Sequence, residues 1–243
     1  MIKIENTDVY GWEAAIRGAR NPMNSWDKSD SAYCEKHITD REACKNCPVF
    51  HADDLYCDSI YIIGPNDKKL LQSLASAGPD HGKFLRFITV SLDITAPLYW
   101  WKEFDTYKVG TVANSCSTMH KIHAKEFELD DFSHEHLATS HTDSFPLAGI
   151  YKGIITSPLG MLHNTIDVLN VARDRYLETK DKSYWWQMIQ LLPTSYNQRR
   201  TVLLNYQVLK SMYHARKHHK LDEWRDFCDW IQTLPYSELI TDG

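Results

Sequence analysis

Three observations predict an α+β fold. One clearly alternating strand lies near the middle of the chain, the stretch after it is dominated by helical spacing, and no strand–helix–strand array repeats along it. With 243 residues, 43% hydrophobic and 24% charged, the chain is long enough for one large core or two small ones.

Residues 8–20 (DVYGWEAAIRGAR) set Trp12, Ala15, Ile16 and Ala19 at helical spacing, with Asp8 as the expected N-cap. The polar NPMNSWDKSDS that follows reads as loop, and Arg17 and Arg20 read as solvated helix-end arginines or, alternatively, as anion contacts. Cys34, Cys44, Cys47 and Cys57 then form C-x9-C-x2-C-x9-C, with His37 and His51 interleaved. Four thiolates so spaced can close a tetrahedral structural zinc site, the C-x2-C giving one chelating corner. Reduced thiols in a surface insertion are the alternative.

A helix starts at Asn66 or Asp67, carries Leu70, Leu71 and Leu74, and stops at Gly78. In PDHGKFLRFITVSLDITAP, the residues Phe84, Arg86, Ile88, Val90, Leu92 and Ile94 alternate with Leu85, Phe87, Thr89, Ser91 and Asp93, which is the clear strand. Pro97 closes it and fits the first turn of a helix, LYWWKEFDTYK, with Trp100, Trp101 and Phe104.

The run VGTVANSCSTMHKI gathers Thr111, Asn114, Ser115, Ser117 and Thr118 around Cys116. Such a run offers amides and hydroxyls to a phosphate, or folds into a tight, well hydrogen-bonded turn. Cys116 beside His120 or His123 has the make-up of a thiol nucleophile, with an inert thiol as the ordinary alternative. FELDDFSHEHLATSHTDSF brings His134, His136 and His141 near Asp130, Asp131, Glu135 and Asp143, but without H-E-x-x-H spacing it reads as a polar helix start and loop.

The remainder is helical in pattern. Leu162, Ile166, Leu169, Val171 and Tyr176 predict a long helix over 158–180, and others are expected over 183–192, from Thr194 onward, and over 220–233. A further long helical stretch, 201–224, has Asn205, Leu209, Met212 and Arg216 on one face at +4, +3 and +4. An amide and a guanidinium would then stand roughly 16 Å apart at 1.5 Å per residue, about the span of a bound nucleotide. An amphipathic helix with no such role is the alternative.

A net charge of −5 argues against an extended nucleic-acid surface, although HARKHHK (214–220) can hold one phosphate group. Eight Trp and thirteen Tyr suit stacking on planar ligands as well as core and subunit interface. No run approaches the apolar length a bilayer requires and MIKIENTD lacks signal-peptide order, so no membrane partner and a cytoplasmic location are expected.

Two segments carry a family resemblance: the strand, Pro97, aromatic helix and polar run of 84–119, and LLPTSYNQRRTVLLNYQVLKSMYHARKHHKLDEW over 191–224. In this order, with Pro193 twelve residues before Asn205 and Arg216 eleven after it, they resemble the flavin-dependent thymidylate synthases. AAIRGAR and the helix before Asp80-His81 fit the same layout. The resemblance covers most of the chain and its specific motifs about a third, with a Cys-rich insertion at about 34–57 in a single domain of residues 1–243.

That resemblance implies an antiparallel sheet with a helical C-terminal half, a homotetramer, and active sites assembled from several chains around FAD. It implies methylation or reduction of a pyrimidine nucleotide, dUMP or a relative, with methylenetetrahydrofolate as carbon donor and NADPH as reductant. Such an enzyme polarises the base with cationic and hydrogen-bonding groups and needs no covalent nucleophile. Carried onto this chain, Arg216 and Lys108 are catalytic. Asn205, Gln207, Ser211, Tyr107 and His81 face the flavin, while Asn114, Ser115, Cys116, Ser117 and Arg216 face the nucleotide.

The chain also departs from the pattern. The family's Arg-His-Arg signature falls on Thr106, Tyr107 and Lys108, and lysine cannot fork to two acceptors as arginine does. The Glu and Arg of the following Ser-Gly-Arg region fall near Asn114 and Thr118, and an Arg expected before Pro193 falls on Ile189. Where the family reads Asn-Ala-Arg-Ser-Leu, this chain has Asn205, Tyr206, Gln207, Val208 and Leu209. Arg17, Arg20, Lys102 or Lys217 would have to replace the lost cations. The alternative function is a catalytically inactive nucleotide-binding or assembly protein of the same fold.

Overall fold

A computed structural model describes residues 2–33, 61–139, 149–151 and 154–242, with 149–151 and 154–156 as backbone. The expected zinc ligands Cys34, Cys44, Cys47 and Cys57 lie outside the described residues, as does His141.

The elements in chain order are β1 (Lys3–Tyr10), α1 (Trp12–Arg20), β2 (Ala32–Tyr33), β3 (Tyr61–Ile62), α2 (Pro65–Ser76), β4 (Thr89–Pro97), α3 (Leu98–Phe104) and β5 (Val112–Ser115). They continue with β6 (Gly149–Tyr151), β7 (Ile154–Thr156), α4 (Pro158–Thr179), α5 (Lys182–Leu191), β8 (Asn197–Asn205), α6 (Tyr206–Arg216), α7 (Asp222–Gln232) and α8 (Glu238–Thr241). Helices combine with antiparallel sheet, as the α+β expectation requires. One sheet has the order β1-β4-β8-β5, and β2/β3 and β6/β7 form antiparallel pairs. Among the described residues no helix is long and apolar enough to cross a membrane.

The largest correction concerns 201–224, which is not one helix. Its first five residues complete β8, α6 begins at Tyr206 and ends at Arg216, and α7 starts afresh at Asp222. The helix expected from Thr194 is likewise absent. The reason is period two: Gln198, Val202 and Leu204 are buried while Arg199, Thr201 and Leu203 are exposed, which is the pleat of a strand. Asp8 is a strand residue of β1 and not an N-cap. α1 instead starts after Gly11, at φ 93°, where an added Cβ would sit 2.0 Å from the Phe87 carbonyl oxygen, so only glycine fits.

Smaller corrections follow the same physics. β4 begins at Thr89, because 82–86 form a 3-10 turn. α3 stops at Phe104, short of the expected Lys108. Part of the polar run is a strand, β5, and Val171 lies on the exposed side of α4.

The chain divides into two compact units. The first comprises 1–5, 93–106 and 113–201. Its α4 packs on α5 through Leu162, Ile166, Leu169 and Met188, joined by Ile122, Phe127 and Phe132. Trp100, Trp101 and Phe104 are buried ring against ring, and the Trp101 indole donates to the Gln198 carbonyl at 2.9 Å. Each fully buried large side chain of this kind contributes about 1.5–3 kcal/mol of transfer free energy.

The second unit comprises 6–92, 107–112 and 202–243. Here α6 packs against α7 and α8, and Trp12 meets Tyr206 edge to face at 5.3 Å. Arg20, expected at the surface, is 4% exposed and donates through Nε to Asp67 Oδ1 at 2.6 Å. Asp67, expected as a possible helix start, is fully buried. Its other oxygen accepts from Ser29 and Ser31 at 2.8 and 2.6 Å and from the Asp30 amide at 3.1 Å. The remaining Arg20 nitrogens donate to the Ser25 and Lys28 carbonyls at 3.0 and 2.9 Å. A buried pair satisfied on all sides is costly to break from one side only.

Burial alone would push the Asp67 carboxyl up, but the bonds from Ser31, Ser29, Arg20 and the Asp30 amide outweigh it and hold the group below the usual carboxylate range. Since the folded value is depressed, the stabilisation is fully present above the unfolded value of about 3.9 and is lost as pH falls through the folded one. Asp67→Asn is expected to cost about 3–5 kcal/mol in urea denaturation at neutral pH. The variant's stability should also fall less steeply than the wild type's on acidification below about pH 4.

Candidate functional site

In the second unit α6 is entered at Asn205, whose extended backbone ends β8 and whose Oδ1 accepts the Val208 amide at 3.0 Å. Asn205 is therefore the N-cap of the helix and not a member of its interior. That cap uses only the side-chain oxygen. Its Nδ2 lies against Gly110, where φ is 81° and an added Cβ would sit 2.9 Å from the nitrogen. Gln207, one turn position further, brings Oε1 close to Gly82, next to exposed His81. Ser211 bonds back to the Gln207 carbonyl at 3.1 Å, as a solvent-side serine in a helix does.

The other end of α6 carries Arg216. Its Nε donates to the Tyr107 hydroxyl at 2.9 Å, and its guanidinium lies 5.6 Å from the Tyr107 ring and 4.9 Å from the Trp224 ring. Tyr107 and Trp224 are themselves 6.1 Å apart at 61°. The guanidinium is held in orientation by its bond to the Tyr107 hydroxyl at the edge of that ring and by the Trp224 ring, whose quadrupole attracts the cation. Cys228 of α7 is buried, and burial pushes its thiol up to about 11 despite the lowering by Arg216 and Lys217. It packs as a small apolar side chain and does not act as a thiolate at neutral pH.

Seven of the residues singled out in the sequence, His81, Tyr107, Lys108, Asn205, Gln207, Ser211 and Arg216, thus belong to one unit, and direct contact joins Tyr107 to Arg216. Lys108 is exposed. Asn114, Ser115, Cys116 and Ser117 belong to the other unit. Asn114 and Ser115 are exposed on β5, while the Cys116 backbone is fixed to β8 by its amide on the Arg199 carbonyl (2.9 Å) and by Gln198 on its own carbonyl (2.8 Å). The Ser117 hydroxyl accepts the His120 amide at 2.8 Å, so part of the polar run is the tight turn weighed above. Of the replacement cations, Arg20 is committed to Asp67, whereas Arg17, Lys102 and Lys217 are exposed.

The sequence reading missed Arg199, Arg200 and Trp224. Arg200 stacks 4.1 Å over Trp101 and pairs with Asp105 at 2.7 Å, and Arg199 pairs with Asp93 at 2.8 Å. Reading 197–205 as a strand would have separated the two guanidiniums onto opposite faces. Trp224 needed knowledge of how α7 returns to α6.

The fold is that of the flavin-dependent thymidylate synthases. No known family model and no curated protein matches the sequence. Among solved structures, flavin-dependent thymidylate synthase ThyX from Helicobacter pylori, complexed with FAD and dUMP, is similar with a TM-score of 0.62 at 14% identity, covering 99% of this chain and 98% of that one. The UMP/dUMP methylase PolB from Streptomyces cacaoi, bound with 5-Br UMP, is similar with a TM-score of 0.58 at 14% identity, covering 99% and 94%.

Two substitutions test the geometry without reference to activity. Gly110→Ala, which forces a side chain into the left-handed region against Asn205, is expected to lower stability by about 1–3 kcal/mol. Asn205→Ala should cost about 0.5–2 kcal/mol through loss of the cap. Thermal or urea unfolding reads both, and an unchanged midpoint in Gly110→Ala would contradict the close approach.

Proposed function

We propose that this chain is a divergent flavin enzyme that binds FAD and a pyrimidine nucleotide of the dUMP class and methylates or reduces the base. The observation that carries this reading is Arg216, held by the Tyr107 hydroxyl and the Trp224 ring at one end of a helix whose other end presents the amides of Asn205 and Gln207. The donor set fits a flavin ring. Asn205 Nδ2, not used by the cap, suits a ring carbonyl, and the Gln207 amide beside Gly82 can meet either a donor or an acceptor. A bound flavin supplies the hydride, with methylenetetrahydrofolate as carbon source and NADPH as reductant.

The chain's own residues bind and polarise. We assign Arg216 to the polarisation of the base, its positive charge stabilising charge that builds on the ring, with its orientation set by the Tyr107 hydroxyl and the Trp224 ring. Lys108 supplies the remaining charge of the former signature as a single point and not a fork. We assign Asn205, Gln207, Ser211, Tyr107 and His81 to the flavin side, and Asn114 to Ser117 to the nucleotide side. Self-association into a tetramer is part of the proposal. Met161, Val168 and Val171 repeat along α4 at 51%, 53% and 63% exposure, an apolar stripe that supports burial against another copy.

A second reading, a catalytically inactive nucleotide-binding protein, is favoured by one specific observation. Thr106 is spent on the Glu103 carbonyl at 2.7 Å and the Tyr107 hydroxyl on Arg216, so two of the three signature positions serve the protein itself. NADPH oxidation by the FAD-loaded protein, with and without dUMP, separates the two. The enzyme reading expects stimulation by dUMP and a loss of roughly tenfold or more in Arg216→Lys, from one charged hydrogen bond. Binding of dUMP with no turnover in the presence of folate would favour the second reading.

A further inference from the structure

The first unit contains a cleft of about 390 Å³ that none of the residues discussed for the flavin or nucleotide lines. Its walls come from the turn after Met119, which contributes His120 and His123, from the end of α4 with Tyr176 and Lys180, and from the start of α5 with Lys182 and Trp185. A cleft of this size lies in the range that holds small ligands.

The local sequence builds it deliberately. Lys180 ends α4 in the left-handed conformation, φ 59°, and Asp181 caps α5 by accepting the Ser183 amide at 2.9 Å, so the tight junction brings two lysines to one rim. Trp185 is fixed across the cleft by its indole N–H on the Met119 carbonyl at 3.0 Å. His123 packs edge to face on Tyr176 at 4.9 Å. Lys182 Nζ stands 5.7 Å from the Trp185 ring, and Lys180 Nζ 5.9 Å from that of Tyr176.

Three features point to a ligand. Among the described residues neither lysine is paired with a carboxylate; the nearby Asp181 is used as a cap and Glu178 pairs with Arg175. The lining includes the rings of Tyr176 and Trp185, which give a planar group apolar surface to pack on. The His123 Nδ1 is buried with no hydrogen-bond partner among the described residues, a state that costs free energy and that a polar ligand atom would relieve.

We propose that this cleft binds a small aromatic anion, a planar ring bearing a carboxylate or a phosphate. The ring packs against Tyr176 and Trp185, the anionic group meets Lys180 and Lys182, and His123 gains its missing partner. The proposal stands apart from the flavin reading, since it involves other residues and needs no turnover.

Amide and indole chemical-shift mapping of the full chain tests it, with phenyl phosphate, benzoate, inorganic phosphate and phenol as probes. Phenyl phosphate or benzoate is expected to shift the Trp185 indole N–H and the amides of 119–123 and 180–185, binding at least tenfold more tightly than inorganic phosphate or phenol. Which of the two binds more tightly identifies the anion. In the double variant Lys180→Met, Lys182→Met, whose exposed side chains can be exchanged without disturbing the core, the preferred probe should bind at least tenfold more weakly. Absence of shifts at these positions at millimolar probe, equal binding of inorganic phosphate and phenyl phosphate, or unchanged affinity in the double variant would overturn the proposal.

Discussion

β8 becomes α6 at one residue, Asn205, and the geometry of that junction governs everything downstream of it. Its backbone is still extended while its side chain already caps the helix on the Val208 amide. The next residue, Tyr206, is fully buried. Its amide donates to the Ile88 carbonyl at 3.0 Å and its hydroxyl to the Pro235 carbonyl, which ties the first turn of α6 to the residue before β4 and to the segment before α8. With the helix start fixed, a rigid rise of about 1.5 Å per residue determines where Arg216 emerges. A slip of one residue at the junction would rotate Arg216 by roughly 100° and take it off Tyr107 and Trp224.

Three arginines among the described residues are each held by a ring, a carboxylate, or both. Arg20 is enclosed by Asp67 and backbone carbonyls, Arg200 by Trp101 and Asp105, Arg216 by Tyr107 and Trp224. These serve different ends. A guanidinium matched by a buried carboxylate has its charge neutralised within the fold and acts structurally. Arg216 is oriented by the Tyr107 hydroxyl and the Trp224 ring, and that orientation is what the proposed function draws on.

The legible and illegible parts of the sequence separate along physical lines. α4, α5 and the start of α2 were readable because their apolar residues recur at helical spacing around Pro and cap residues. The strand over 89–97 was readable because it is buried on alternate residues. β1 was not, since it lies at the sheet edge with most of its side chains exposed or half-buried, and a strand with no buried face has no apolar alternation to show. β8 was misread because Val202, Leu203 and Leu204 run together and blend with the apolar residues of α6, so period two and period 3.6 compete until the partner strands decide. Of the candidate site, Asn205 and Arg216 were visible as a spacing. Their partners Gly110, Tyr107 and Trp224 come together only through tertiary contact, and the burial of Arg20 could not be inferred from its position at a helix end.

Whether α6 carries the flavin-binding residues proposed for it is tested most directly by the visible absorption spectrum of FAD in the presence of this protein. FAD is expected to be retained through gel filtration, and dUMP or UMP to shift its absorption bands, with the shift abolished in Arg216→Lys while FAD is still held. A protein that retains no FAD, or a flavin spectrum indifferent to every pyrimidine nucleotide, would contradict it.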